Sequence, residues 1–316
     1  MPIEIAAHAG FCMGVRRAVE SAVQVADSGV PSCTLGELIH NPTVVDVLRQ
    51  RGIPPVASAE EAAGRQVLIR SHGVAPEVIR QLEKAGCKVV DLTCPFVNKL
   101  HRVVAEDTGE DCPLIMVGER EHPEVKGTCG WARGKVYVVA TAEEAAQLPE
   151  MDQAAAAVQT TFPPERWEAI VAVLRGRVQH LKEHNTICNA TAVRQREAKK
   201  LAAASDAMIV VGGRTSANTH KLFEACKALC PRTILVECAA EIPPAFANIH
   251  SDKIGITAGA STPDGSLEEV ATHMTDNENM AQSSDFTMDA IVATMTRIKA
   301  GQTVTGKVVQ VTPDEV

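Results

Sequence analysis

The chain contains no uninterrupted run of 18 apolar residues and no basic, apolar N-terminal segment ending at a small-residue cleavage site. Neither a membrane-spanning helix nor a secretory signal is expected, and the cytoplasm is the default location. Excess positive charge is missing as well: the formal net charge is −8. General nucleic-acid binding, which draws on counterion release by a basic surface, is therefore disfavoured. CxxC pairs of the kind that crowd ferredoxin-type clusters are absent, the nearest approach being Cys226 and Cys230 at CxxxC spacing. Yet ten cysteines are present, dispersed over 316 residues of which 45% are hydrophobic. That length and composition suffice for two or three well-formed cores. In a reducing compartment, dispersed cysteines favour metal or redox chemistry over a disulfide framework.

Three of the cysteines belong to an internal repeat. Cys12 in HAGFCMGVRRAV, Cys94 in VVDLTCPFVNKL and Cys188 in HNTICNATAVRQ each precede a helix-like run. At a constant offset of 24 residues follow Gly36, Gly118 and Gly212, each closing a strand-like run, and at an offset of 28 follow His40, His122 and Ser216. A third element reads VLIRSHGVAPEV around His72, AAVQTTFPPERW around Thr160 and GITAGASTPDGS around Ser261. Each joins an apolar strand to small or polar residues and then to a proline suited to a first helical turn (Pro76, Pro163 or Pro164, Pro263). A period near 90 residues is too long for a solenoid.

The expectation is three small α/β domains with mostly parallel sheets, related by pseudo-threefold symmetry and arranged as a trefoil. Residues 1–11 form a strand joining the third domain; the domains run over 12–93, 94–187 and 188–274. PTVVDVLRQRG and PEVIRQLEKAG read as helices ending at Gly52 and Gly86. Residues 275–316 read as a polar linker and a partial C-terminal module. Ligands of open α/β sheets bind beyond the strand ends, so loops from all three domains converge on one centre.

Core packing alone does not require polar residues at matching offsets from three cysteines, so the three are read as ligands of one metal centre. A cubane [4Fe–4S] cluster is normally held by four thiolates; three leave one iron open, the mark of a catalytic site. Helices beginning at the cysteines favour thiolate over thiol. Cys226, Cys230, Cys33, Cys87, Cys112, Cys129 and Cys238 are read as packing residues. His40, His72 and His122, which can be cationic, together with Ser216, Asn218, Ser261 and Thr160, make a cradle for phosphate groups. Glu124, in EHPE beside His122, is the carboxylate whose pKa such a pocket should raise, and it is read as a proton donor. Arg16, Arg17, Lys99, Arg102, Arg194, Arg196, Lys199 and Lys200 on the cysteine helices read as a solvated face or as a dock for an acidic electron carrier.

HAGFCMGVRRAV, IHNPTVV, SHGV, DLTCPFVNK, EHPEVKG, QTT, ICNAT with RQ, SANT and TAGASTPD resemble, in order, the motifs of the 4-hydroxy-3-methylbut-2-enyl diphosphate reductase family over roughly residues 1–275. The resemblance implies a trefoil around one oxygen-sensitive [4Fe–4S] cluster held at Cys12, Cys94 and Cys188, with an open fourth iron that takes the hydroxyl of an allylic diphosphate. It places His40, His72, His122, Ser216, Ala217, Asn218 and Ser261 at the diphosphate, Ala217 standing where some members carry serine. Thr160 and Glu124 fall near the allylic hydroxyl, with Glu124 delivering protons. It also implies two-electron reductive dehydroxylation to isopentenyl and dimethylallyl diphosphates, with reduced ferredoxin or flavodoxin as donor. GQTVTGKVVQVTPDEV resembles the opening strand and turn of the OB-fold RNA-binding module repeated in the largest protein of the small bacterial ribosomal subunit, so RNA binding would need a completed module. The competing readings are a quinolinate-synthase-like dehydratase, against which the EHPE and SANT loops argue, a zinc hydrolase using cysteine and histidine, and an RNA-associated protein.

Overall fold

The computed structural model describes residues 3–247 and 253–275, so the linker and partial module read over 275–316 lie outside the described residues except for Thr275, which ends a helix beginning at Asp264. Among the described residues twelve strands are formed: β1 (Ile3–Ile5), β2 (Ser32–Leu35), β3 (Pro55–Val56), β4 (Gln66–Ile69), β5 (Lys88–Asp91), β6 (Leu114–Val117), β7 (Val136–Val139), β8 (Met151–Val158), β9 (Val178–His184), β10 (Ala207–Val211), β11 (Thr233–Val236) and β12 (Ile254–Ala258). They make three four-stranded sheets of one topology, β3-β2-β4-β5, β7-β6-β8-β9 and β11-β10-β12-β1. Every pairing is parallel. This is the trefoil of α/β units that the repeat implied.

β1 holds the place in its sheet that β5 and β9 hold in theirs. The strand is short. It ends at Ile5, and the chain turns through Gly10, whose φ of 91° suits glycine. Each fourth strand leads out of one sheet, through a cysteine, into the first helix of the next unit: β1 to Met13–Asp27, β5 to Pro95–Asp107 and β9 to Asn189–Ala203. The cysteines therefore lie where the three units meet.

Central strands read as continuous apolar runs because both sheet faces are covered. In β4, Leu68 packs into one core while Val67 and Ile69 pack into another. In β6, Ile115 and Val117 face one core, and Leu114 and Met116 the other. β10 divides likewise, with Ile209 and Val211 opposite Met208 and Val210. Helices Pro42–Gln50 and Pro76–Lys84 end just before Gly52 and Gly86, at φ 85° and 74°, as their glycines predicted. The proline of the third repeat element is less uniform. Pro76 and Pro164 open their helices, whereas Pro263 precedes a helix beginning at Asp264.

A side-chain tie spans each junction of the ring. Trp131 Nε1 donates to the Val74 carbonyl at 3.0 Å, Lys221 Nζ meets Glu119 Oε1 at 2.8 Å, and Ser261 Oγ donates to the His40 carbonyl at 3.1 Å. No helix of the described residues is long and apolar enough to cross a membrane.

The repeated glycines close the first strand of each unit where the loop after the third strand crosses above. A Cβ on Gly118 would stand 2.8 Å from Val125 Cγ2 and 2.9 Å from the Gln159 side chain, neighbours of Glu124 and Thr160. Gly118→Ala is expected to lower unfolding stability by about 1–3 kcal/mol, as overpacking does. Thermal unfolding measures it, and an unchanged Tm would show that the two loops yield freely.

Candidate functional site

Cys12, Cys94 and Cys188 are each the N-cap residue of the helix that follows, and none of the three side chains makes a capping hydrogen bond. Their backbone N–H groups donate to equivalent carbonyls: Cys12 to Ala260 at 3.1 Å, Cys94 to Ser71 at 3.0 Å and Cys188 to Thr160 at 2.8 Å. All three thiols are free and line one cavity. Gly14 explains the glycine two residues after Cys12, because a Cβ there would stand 2.5 Å from Cys94 Sγ. Cys129 ends the helix Pro123–Cys129 and is not among the residues lining this cavity; Cys226 and Cys230 are buried packing residues.

The same cavity is lined by His40, His72, Glu124, Thr160, Ser216, Asn218 and Ser261. His122 and Ala217 line an adjoining cleft, which His40 shares. The three imidazoles nonetheless converge, with ring centroids 4.8 Å apart for His40 and His72, 5.5 Å for His72 and His122, and 6.3 Å for His40 and His122. Local structure aims these groups. His122 and Ser216 are N-caps of Pro123–Cys129 and Ala217–Lys227, accepting from the N–H groups of Glu124 and Thr219. In the first unit the cap is Asn41, one residue beyond His40, so His40 itself is released toward the cavity.

Strand pairing corrects one alignment. Leu35 pairs with Ile69, Val117 with Val158 and Val211 with Ala258. Three residues past each third-strand end stand His72, Thr161 and Ser261. Thr160 is instead equivalent to Ser71 and Ala260, whose carbonyls hold the cysteines. Loop-composition matching missed Thr161, which also lines the cavity; the adjacent threonines made the register ambiguous by one residue. Arg194, read as part of an exposed basic face, is buried.

Burial, followed by repulsion from His40, His122 and Arg70, holds the His72 ring well below the usual imidazole range. His122 is pushed down to about 4, chiefly by burial, with Glu119 opposing and His40, Lys221 and Arg70 assisting. Both rings are therefore neutral near pH 7 in the free protein, whereas the residue types alone suggested cations. His72 Nδ1 and both polar atoms of the Asn218 amide are buried without a hydrogen-bond partner, a condition that calls for a ligand or water.

Glu124 is only 1% exposed. Its carboxylate accepts the Thr160 N–H at 2.6 Å and the Thr160 hydroxyl at 2.8 Å. Burial raises its pKa, while the two Thr160 hydrogen bonds oppose the rise. Thr160 thus joins Glu124 to Cys188 through one residue's N–H, hydroxyl and carbonyl. Burial also pushes the Cys94 thiol up to about 12, with Cys12 adding to the rise and the Phe96 N–H opposing it. For Cys188 burial leads again, opposed next by the N–H groups of Thr191 and Ala190. The helix-start amides act in the direction expected for thiolate, but without a metal desolvation outweighs them.

Fold and cavity together define a class: a three-unit α/β trefoil whose site lies on the pseudo-threefold axis and draws side chains from every unit. Over residues 3–275 the chain matches, and belongs to, the family described as LytB protein. A relative from Geobacter sp. (strain M21), named 4-hydroxy-3-methylbut-2-enyl diphosphate reductase, is 44% identical over 271 residues, covering 85% of this chain and 95% of the relative. One of the same name from Clostridium acetobutylicum is 37% identical over 321 residues, covering 99% of this chain but 50% of the relative. A solved structure of (E)-4-hydroxy-3-methyl-but-2-enyl diphosphate reductase, described as the terminal enzyme of the non-mevalonate pathway, is 41% identical with TM-score 0.67, covering 87% of this chain and all of that one. The Plasmodium falciparum reductase structure, at 23% identity and TM-score 0.79 over 92% of this chain and 96% of that one, shares the fold.

Neutral His72 and His122 carry a linkage consequence. Their folded pKa values lie below the unfolded value of 6.5, so the stability they contribute is present above pH 6.5 and is lost as pH falls toward about 4. An anion seated among the rings reverses the preference and draws protons in. Calorimetric titration with sulfate, in buffers of different ionisation enthalpy near pH 7, is expected to show net proton uptake, and less of it in His72→Gln. Binding without proton uptake would assign the anion to the uncharged donors.

Proposed function

We propose that this chain reduces 4-hydroxy-3-methylbut-2-enyl diphosphate to isopentenyl and dimethylallyl diphosphates, using one [4Fe–4S] cluster held by Cys12, Cys94 and Cys188. The carrying observation is the meeting of three unengaged helix-cap thiols with an anion-type donor set and a buried glutamic acid in one cavity. The donor set fits such a cluster: sulfur ligands alone, one from each unit, helix-start amides turned to Cys94 and Cys188, and a glycine that clears space beside Cys94. When bound, the cluster supplies an open iron as Lewis acid and a relay for single electrons.

The remaining steps fall to this chain's side chains. His40, His72 and His122, with Ser216, Asn218 and Ser261, hold the diphosphate, whose charge favours imidazolium over neutral ring. Ala217 contributes its position at a helix start but no side-chain hydrogen bond. The anchor orients the allylic C–O bond, and the enclosing loops exclude bulk water. Breaking that bond consumes two electrons and two protons, one leaving with the oxygen as water and one ending on the allylic carbon. Burial favours the protonated form of Glu124, and the Thr160 hydroxyl, 2.8 Å away, can relay its proton toward the cavity. The donor is reduced ferredoxin or flavodoxin; Lys99 and Arg102, exposed on the helix that starts at Cys94, offer positive charge to such acidic carriers.

Two substitutions test the assignments. Cys94→Ser is expected to lose most of the iron and sulfide found in anaerobically prepared protein together with turnover, and normal iron with normal activity would overturn the cluster reading. Glu124→Gln keeps shape but removes the acid. Its turnover should fall roughly 10²–10⁴-fold with diphosphate affinity nearly unchanged; lost affinity with turnover intact would move Glu124 to the anion pocket.

A further inference from the structure

Arg194 lies on the helix Asn189–Ala203, six residues after Cys188, and is only 4% exposed. One guanidinium nitrogen, Nη2, donates to the carbonyl of Gly10 at 2.9 Å, two residues before Cys12. Nε and Nη1 are buried with no hydrogen-bond partner. Among the described ion pairs none contains Arg194, and the nearby Glu197 is taken by His8 at 2.7 Å. The charges that bear on this guanidinium are, in order, the thiols of Cys12 and Cys188 and then Glu197. An arginine cannot shed its proton to escape burial, and a buried cation lacking a counter-charge is strongly unfavourable.

We infer that Arg194 is the buried counter-charge of the three-cysteine centre, a positioning residue that sets both the retention and the reduction potential of the iron–sulfur cluster. This rests on the reading that Cys12, Cys94 and Cys188 hold that cluster. Three thiolates leave a cubane core anionic overall, and each electron taken up adds negative charge inside a water-excluded cavity. A fixed cation beside two of the thiolates favours the more negative state, raising the potential, one of the levers by which surroundings tune such clusters.

Arg194→Met fills similar volume without charge, and Arg194→Lys keeps the charge. For each, iron and sulfide per chain, the midpoint potential from an EPR-monitored redox titration, and the Tm of the cluster-free protein are compared with the unsubstituted chain. Arg194→Met is expected to leave the cluster-free Tm equal or higher, because an uncompensated buried charge is gone. In the reconstituted protein it should move the midpoint to more negative potential or lose iron several-fold. Arg194→Lys should keep iron and restore most of the potential. Unchanged midpoint and iron in Arg194→Met would overturn the inference. So would a lowered cluster-free Tm, or equal loss in Met and Lys, either of which assigns Arg194 to packing and the Gly10 tie. Absence of iron from the unsubstituted chain would instead sink the reading of the cysteines, a result seen before any variant is compared.

Discussion

The arrangement depends on one hydrogen bond made three times. The backbone N–H of each cysteine donates to a carbonyl two residues beyond the third strand of the sheet it is leaving: Ala260, Ser71 and Thr160. This continues the parallel ladder by one rung past the strand ends and then releases the chain into a helix of the next unit. Because the rung is backbone to backbone, it is indifferent to whether the accepting residue is alanine, serine or threonine. It also fixes where each helix begins, and hence where each sulfur stands.

Chemistry follows from the loops that share this scaffold. The carbonyl that holds Cys188 belongs to Thr160, whose N–H and hydroxyl hold Glu124. Glu124 and Cys188 are thus positioned through a single residue. Across the ring Ser261 donates to the His40 carbonyl, so the histidine side of the cavity is likewise stitched between units. Burial sets the electrostatics in both places. It keeps His72 and His122 neutral near pH 7, raises the Glu124 carboxyl above its usual range and pushes the Cys94 thiol up to about 12.

The repeat was legible because packing at a pseudo-threefold axis imposes fixed distances along the chain. The offsets from Cys12, Cys94 and Cys188 to Gly36, Gly118 and Gly212 measure a helix and a strand, elements whose lengths cannot drift without moving the loop above. Gly52 and Gly86 announced helix ends for a local reason, since left-handed backbone favours glycine. The third element had no such ruler, and matching Thr160 to His72 slipped by one residue because TT offers two equivalent hydroxyls. Pairing of Val117 with Val158 resolves it.

Sequence alone therefore determined what local geometry and composition dictate: parallel α/β units, the cysteines at helix starts, and the residue types available to a phosphate group and a metal. Only the tertiary structure decided which of those residues share a cavity and in what protonation state, because desolvation depends on neighbours far apart in the chain. His72 and His122, which read as cations, are neutral near pH 7 where three imidazoles meet. Arg194, which reads as a solvated helix residue beside Arg196, is enclosed because its face of the helix turns toward Gly10, 184 residues away in sequence.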